Sequence, residues 1–245
     1  MIDAEDEGAV IEGLERYFRR TRRMIRKEGA AISKNVGGKI TDHAYGRERS
    51  GSGLRTQSGG KGTEKGKVII EKDLNRGFLL VVKQPALFSA LLPVLAPRFP
   101  CFAIVRNPLS VLASWNSVDH NVREGHSRGA ELYDEALRDD LASTDDRVSR
   151  QFLLLSWWYE RFYTNLDRDR IIRYEDIVDT GGGALSAITP AAKALHEPLS
   201  SRNLNALYDQ GEMRELGRTL LGREGAYWRF YDRESVEELV EGTGH

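Results

Sequence analysis

The stretch from Cys101 to Trp115, Cys-Phe-Ala-Ile-Val-Arg-Asn-Pro-Leu-Ser-Val-Leu-Ala-Ser-Trp, constrains this chain most. Cys101–Val105 is apolar, long enough for a buried strand and too short for a helix. Asn107-Pro108 then supplies an N-cap residue and a proline at the first helical position. Leu109, Leu112 and Ala113 follow at helical spacing. The segment therefore reads as strand, sharp turn, helix. In an open α/β sheet, ligands bind at the carboxyl ends of strands. The start of the next helix offers N–H groups and a positive dipole end. Arg106 stands at that junction with a fork that fits a phosphate. Ser110 and Ser114, four apart, share a helix face and complete a candidate anion site. The competing reading is a surface arginine paired with a carboxylate beside an ordinary helix start.

The 245 residues suffice for a full core, and one α/β domain over 1–245 is the default expectation. A formal net charge of −1 argues against a global basic field for nucleic acid. The single cysteine, Cys101, excludes an internal disulfide and suits a reducing compartment. Its apolar surroundings mark it as a small core residue rather than a nucleophile. No apolar run approaches the length of a membrane span, and the acidic N-terminus lacks a signal peptide's basic start. The expectation is a cytoplasmic protein that binds neither nucleic acid nor membrane.

Residues 5–28 predict an amphipathic helix, with Val10, Ile11, Leu14, Tyr17, Phe18 and Ile25 on one face. Arg16, Arg19, Arg20, Arg22, Arg23, Arg26 and Lys27 crowd the other side; a solvated face is the plainer reading, a nucleic-acid or membrane contact the sharper one. Residues 46–66 are rich in Gly, Ser, Lys and Arg and read as a flexible loop, a linker or a lid. Gly38-Lys39 and Gly60-Lys61 are not nucleotide loops, because the earlier glycine, the following Ser or Thr and the leading strand are all missing. Val68–Ile70 and Phe78–Val82 are expected strands, the second buried and parallel. Lys83 ends it, either reaching into a site or snorkelling to solvent. Pro85 opens a helix that Pro93 and Pro97 kink or end. A short helix is expected through Leu132–Leu141, and His120 and His126 precede it as possible bases with no metal-ligand pattern. The strongest helical pattern spans 147–166, with Phe152, Leu153, Leu155, Trp158, Tyr159, Phe162 and Leu166. Arg170–Arg173 is a short strand ending in Tyr174-Glu175-Asp176. Gly181-Gly182-Gly183 lacks a phosphate fingerprint and leads into a helical segment with Leu185, Ile188 and Leu195. The last third is expected to be helical, with a turn at Gly222–Gly225 and a capped helix near Ser235.

Four of these pieces together resemble the bacterial sulfotransferases that use 3′-phosphoadenosine 5′-phosphosulfate (PAPS). Arg106-Asn107-Pro108 with Ser114 eight residues after the arginine is similar to their 3′-phosphate segment. Lys83-Gln84-Pro85 precedes it, Ile171-Ile172-Arg173-Tyr174-Glu175-Asp176 looks like their Arg-Tyr-Glu-Asp strand end, and Gly222–Trp228 is similar to their C-terminal Arg-x-Gly…Trp segment. The resemblance covers most of the chain after residue 67. It implies a parallel sheet flanked by helices in a P-loop NTPase-like architecture. It also implies transfer of a sulfuryl group to a hydroxyl or amine of a small-molecule or glycan acceptor, without a metal. Arg106, Ser114, Arg223 and Gly225 would hold PAPS or its product adenosine 3′,5′-bisphosphate (PAP), and Tyr174 would meet the adenine.

Two features depart from that pattern. No segment like Pro-x-Ser-Gly-Thr-Thr cradles the 5′-phosphosulfate, so the domain is expected to be N-terminally incomplete or to have lost the cradle. Where related enzymes place a base two residues after the lysine, this chain has Pro85; the base is unidentified, with Lys83 and His120 as candidates. A PAP-binding scaffold without transfer, or a nucleotide kinase of related fold, stand as alternatives. The kinase is weakened by the missing Gly-rich loop and metal-binding acid.

Overall fold

A computed structural model of the protein describes residues 4–35, 40, 45–51, 53–57 and 64–243. The chain divides into two compact units, Met1–Gln84 and Pro85–His245.

In the first unit the 3.6-residue periodicity becomes α1 (Ala4–Glu28), with Thr21 and Ile25 buried. Gly29 turns the chain at φ +57°, and β1 (Ala30–Asn35) follows. Within 46–66 the described residues are not all irregular. β2 (Tyr45–Arg49) pairs antiparallel with β3 (Arg55–Gln57), and β4 (Glu64–Ile69) returns antiparallel to β1, from Ala30↔Ile69 to Asn35↔Glu64. The hairpin is thus nested inside the β1–β4 connection. Gly38-Lys39 and Gly60-Lys61 lie outside the described residues. The expected strand at Phe78–Val82 does not form. Its carbonyl at Phe78 accepts from Arg22 Nη1 at 2.8 Å instead, and Leu79 and Val81 are 58% and 63% exposed. Hydrophobicity alone makes no strand when no neighbouring strand takes up the backbone groups.

The second unit opens at Pro85 with α2 (Pro85–Ala90), broken at Leu91 before α3 (Leu92–Leu95), which carries Pro93 in its first turn. β5 (Ala103–Val105) and α4 (Pro108–Asn116) form the expected strand–turn–helix. The Asn107 side chain accepts from the Leu109 N–H at 3.1 Å, and Pro108 needs no partner for a missing N–H. The helix expected through 132–141 starts only at Glu135, as α6 (Glu135–Ala142), and a separate short helix, α5 (Arg128–Glu131), precedes it. Asp134 divides them because its carboxylate caps the Leu137 N–H at 2.9 Å. The longest helix here is α7 (Arg147–Asn165), capped by Asp146. β6 (Ile171–Arg173) lies parallel to β5, with Ala103↔Ile171 and Val105↔Arg173, and runs straight into α8 (Tyr174–Asp179).

The segment after Gly181–Gly183 is two 3-10 turns, 183–187 and 190–194, rather than a regular helix, since Thr189-Pro190 interrupts it. α9 (Gln210–Leu221) and α10 (Glu234–Gly242) close the unit. A Cβ at Gly217 of α9 would stand 2.3 Å from Val240 and 3.0 Å from Leu109, so the glycine lets α9 lie close against α10 and α4. Leu109, Leu112, Leu154, Leu155, Leu220, Tyr227 and Val236 are at the centre of the core. The protein is a mixed α/β chain, mostly helical, with a small amount of sheet that includes one parallel pair. Among the described residues, no helix is long and apolar enough to cross a membrane.

Candidate functional site

The parallel pair ends in two residues from different strands, Arg106 after β5 and Tyr174 after β6. The Arg106 guanidinium stacks over the Tyr174 ring at 4.9 Å from its centre. All three guanidinium nitrogens donate: Nε to Asn203 Oδ1 at 2.8 Å, Nη1 to the Tyr208 hydroxyl at 3.3 Å, and Nη2 to the Arg202 carbonyl. Ser110, fully buried in the first turn of α4, donates to the Asn203 carbonyl at 3.1 Å. The Tyr174 hydroxyl accepts from the Arg202 N–H at 3.0 Å. Residues 202–208 therefore lie across the Arg106–Ser110–Tyr174 surface and supply neutral acceptors to it.

Glu175 is the anion of this cluster. Its Oε1 accepts from the Asn107 N–H at 3.1 Å and from Asn203 Nδ2 at 2.8 Å, and its Oε2 accepts from the Tyr231 hydroxyl at 2.6 Å. Burial by itself raises its pKa; the hydrogen bonds from Tyr231, Asn203 and the backbone outweigh that and hold the carboxyl below the ordinary carboxylate range. The site thus pairs an ionised carboxylate with a guanidinium across one asparagine. Tyr159 donates from α7 to the Arg106 carbonyl, and burial raises its hydroxyl far above neutral pH. Burial raises Tyr231 likewise. Both are neutral donors at physiological pH rather than proton acceptors.

The other expected residues are distributed as follows. Ser114 is half-buried one turn beyond Ser110, and its carbonyl accepts from the Ser117 hydroxyl at 2.8 Å. Arg223 is exposed; it donates to the Ser149 hydroxyl at 3.2 Å and lies over the Phe152 ring at 5.7 Å. Ser149 precedes Tyr159 by ten residues on α7, so the α7 contacts of Arg223 and Arg106 are about 15 Å apart along the helix. No described residue bridges the two arginines. Gly225 has extended backbone, and a Cβ there would fall 2.3 Å from the Tyr227 ring. The close approach that its glycine permits is therefore taken by Tyr227. Trp228 donates to the Arg223 carbonyl at 2.8 Å and packs edge-on against Tyr227. His120 is exposed and its Nδ1 accepts from the Val122 N–H at 3.5 Å as a turn cap. His126 faces Glu131 at 3.3 Å. Lys83 is exposed near the end of the first unit. Among the described residues, no group of three or more His, Cys, Asp or Glu side chains is placed to hold a metal ion.

Asn203, Tyr208, Tyr159 and Tyr231 enter the cluster with no signal in the sequence. Glu175 had one, because it stands inside the Arg-Tyr-Glu-Asp stretch. At the ends of two parallel strands the arrangement presents an aromatic-backed guanidinium whose three nitrogens donate to neutral acceptors, one asparagine away from an ionised carboxylate. Compared with family models, with curated proteins and with solved structures, the chain finds no match in any of the three.

Proposed function

We propose that the second unit is a sulfuryl-transfer domain. In this reading it binds PAPS through the Arg106 junction and passes the sulfuryl group to a hydroxyl or amine of a small-molecule or glycan acceptor, within a P-loop-like architecture. The observation that carries the reading is Arg106 stacked on Tyr174 at the carboxyl ends of the parallel pair, beside the start of α4. Parallel α/β sheets bind ligands at that end. A guanidinium fork suits the 3′-phosphate that separates this donor from ATP, and an aromatic ring suits the adenine.

In this reading the phosphate takes the place of Asn203, Tyr208 and the Arg202 carbonyl as partner of Arg106. A phosphate would give the guanidinium an ionised, bidentate partner in place of neutral acceptors that its own charge already strengthens. Transfer itself needs donor and acceptor held in line and the charge growing on the leaving 5′-phosphate met by fixed donors.

A second reading, a PAP-binding scaffold without transfer, draws on the other groups of the cluster. The two tyrosines facing Arg106 and Glu175 are held neutral, and both Glu175 oxygens already accept hydrogen bonds. Calorimetry of the full chain with PAP and with AMP tests what the two readings share: PAP is expected to bind more tightly. Arg106→Ala is expected to weaken PAP roughly ten- to hundredfold, from the loss of about 1.5–3 kcal/mol of charge-assisted bonding. Equal affinity for PAP and AMP rejects both readings. Turnover of labelled PAPS then separates the enzyme from the scaffold.

A further inference from the structure

The near-neutral whole conceals a division of charge. Residues 1–84 hold 18 Lys and Arg against 12 Asp and Glu, a formal +6, whereas residues 85–245 hold 18 against 25, a formal −7. Within the first unit the positive charge is concentrated on α1, where seven of the twelve residues from Arg16 to Lys27 are basic and none is acidic. Arg16, Arg19, Arg20, Arg23 and Lys27 recur at helical spacing and are all exposed, so they form one row about 16 Å long. Among the described residues, no carboxylate lies within ion-pairing distance of any of the five. The row continues to Arg26. That residue, with Lys72, Arg76 and a single acid, Asp73, lines an open cavity of about 620 Å³ floored by Ile25, Ile70 and Phe78. Its volume lies in the range of small-ligand pockets, about 300–1,000 Å³.

We infer that the first unit binds a linear anionic polysaccharide, its charged groups tracked by the α1 row and one sugar seated in the cavity at Arg26. This stands apart from the sulfuryl-transfer reading and from the Arg106 cluster. A membrane surface fits less well, because Thr21 and Ile25, on the face of α1 opposite the row, are buried at 7% exposure. An amphipathic helix that docks in lipid needs that face for insertion. A nucleic-acid duplex also fits less well. It carries a charge about every 1.7 Å and is too broad for the cavity, and its phosphates would meet the exposed Glu7, Glu12 and Glu15 of the same helix. A flexible chain with sparser charges can follow the row alone. The apolar floor of the cavity beside the Arg26 and Arg76 cations also suits a sugar ring with a carboxylate or sulfate.

The test is fluorescence anisotropy of the full chain with labelled oligogalacturonate, labelled dextran sulfate, labelled duplex DNA and phosphatidylglycerol vesicles. At least one of the two polysaccharides is expected to bind, with affinity falling as salt rises. The quadruple variant Arg16→Gln, Arg20→Gln, Arg23→Gln, Lys27→Gln keeps helix propensity. It is expected to lose at least tenfold in polysaccharide affinity while retaining the parent's thermal transition and PAP affinity. Lys72→Gln with Arg76→Gln, away from the helix, is expected to weaken the polysaccharide severalfold as well. No binding of either polysaccharide overturns the inference. So does binding that neither variant changes, or tighter binding of DNA or vesicles. Because PAP affinity is read separately, failure here leaves the Arg106 reading standing, and failure of PAP binding leaves this one standing.

Discussion

Glu175 is the hub of the hydrogen-bond cluster at the ends of the parallel strands. Replacing it by alanine removes the acceptor for three donors at once: the Asn107 N–H, Asn203 Nδ2 and the Tyr231 hydroxyl. A hydrogen bond to a charged partner contributes about 1.5–3 kcal/mol. The three share one network and are not additive, so the expected destabilisation is about 3–5 kcal/mol. That is a large part of the roughly 5–15 kcal/mol available to a typical protein. It corresponds to a fall of about 6–20 °C in Tm for a domain of this size. Glu175→Gln keeps the shape and one acceptor oxygen, and is expected to cost about 1–2 kcal/mol.

The pH dependence has a definite sign. The folded carboxyl titrates below its ordinary value of 4.5. Its stabilisation is therefore complete above 4.5 and is lost as pH falls through the lower folded value. Urea unfolding of the wild type should weaken on acidification in that window. The Gln variant should show a shallower acid limb, with a residual slope from Asp134, whose carboxyl is also held low: burial raises it, and bonds from Leu137, Trp157 and Arg161 outweigh that. An alanine variant within 1 kcal/mol of wild type, or an acid limb unchanged by Glu175→Gln, refutes this account.

Other consequences are quickly checked. Gly225→Ala puts a methyl into the Tyr227 ring and is expected to cost about 1–3 kcal/mol in urea unfolding. Gly222→Ala, whose Cβ meets only the Thr219 carbonyl at an ordinary 3.6 Å, is expected to be near neutral, and equal effects at the two positions would count against the geometry. Burial raises the Cys101 thiol pKa, with Arg170 opposing weakly, so iodoacetamide at neutral pH should label it more slowly than an unfolded control. Equal rates would contradict that. Leu154→Ala, fully buried in the core, is expected to cost about 2–5 kcal/mol by the same unfolding measurement.

The strand–turn–helix at Val105–Pro108 was legible because everything it needs is within a few residues. A short apolar run, an asparagine that reaches two residues on to Leu109, and a proline with no N–H to satisfy are local facts. The periodicity of α1 and α7 is local in the same sense. The split of α5 from α6 was local too: Asp134 caps three residues on, a signal the apolar pattern hid.

What surrounds Arg106 was not legible. Its partners Asn203 and Tyr208 are 97 and 102 residues away, and an arginine's spacing says nothing about which loop returns to it. The same holds for the pairing of β5 with β6, Ala103 against Ile171. Phe78–Val82 shows the converse. Its composition suits a buried strand, but a strand exists only where another strand accepts its backbone hydrogen bonds, and here Leu79 and Val81 face outward instead. Residue order determined the junction, the helices and the division of charge between 1–84 and 85–245. The return of distant chain decided which groups the junction holds, because a half-buried guanidinium and carboxylate are satisfied by whatever donors and acceptors the fold brings to them.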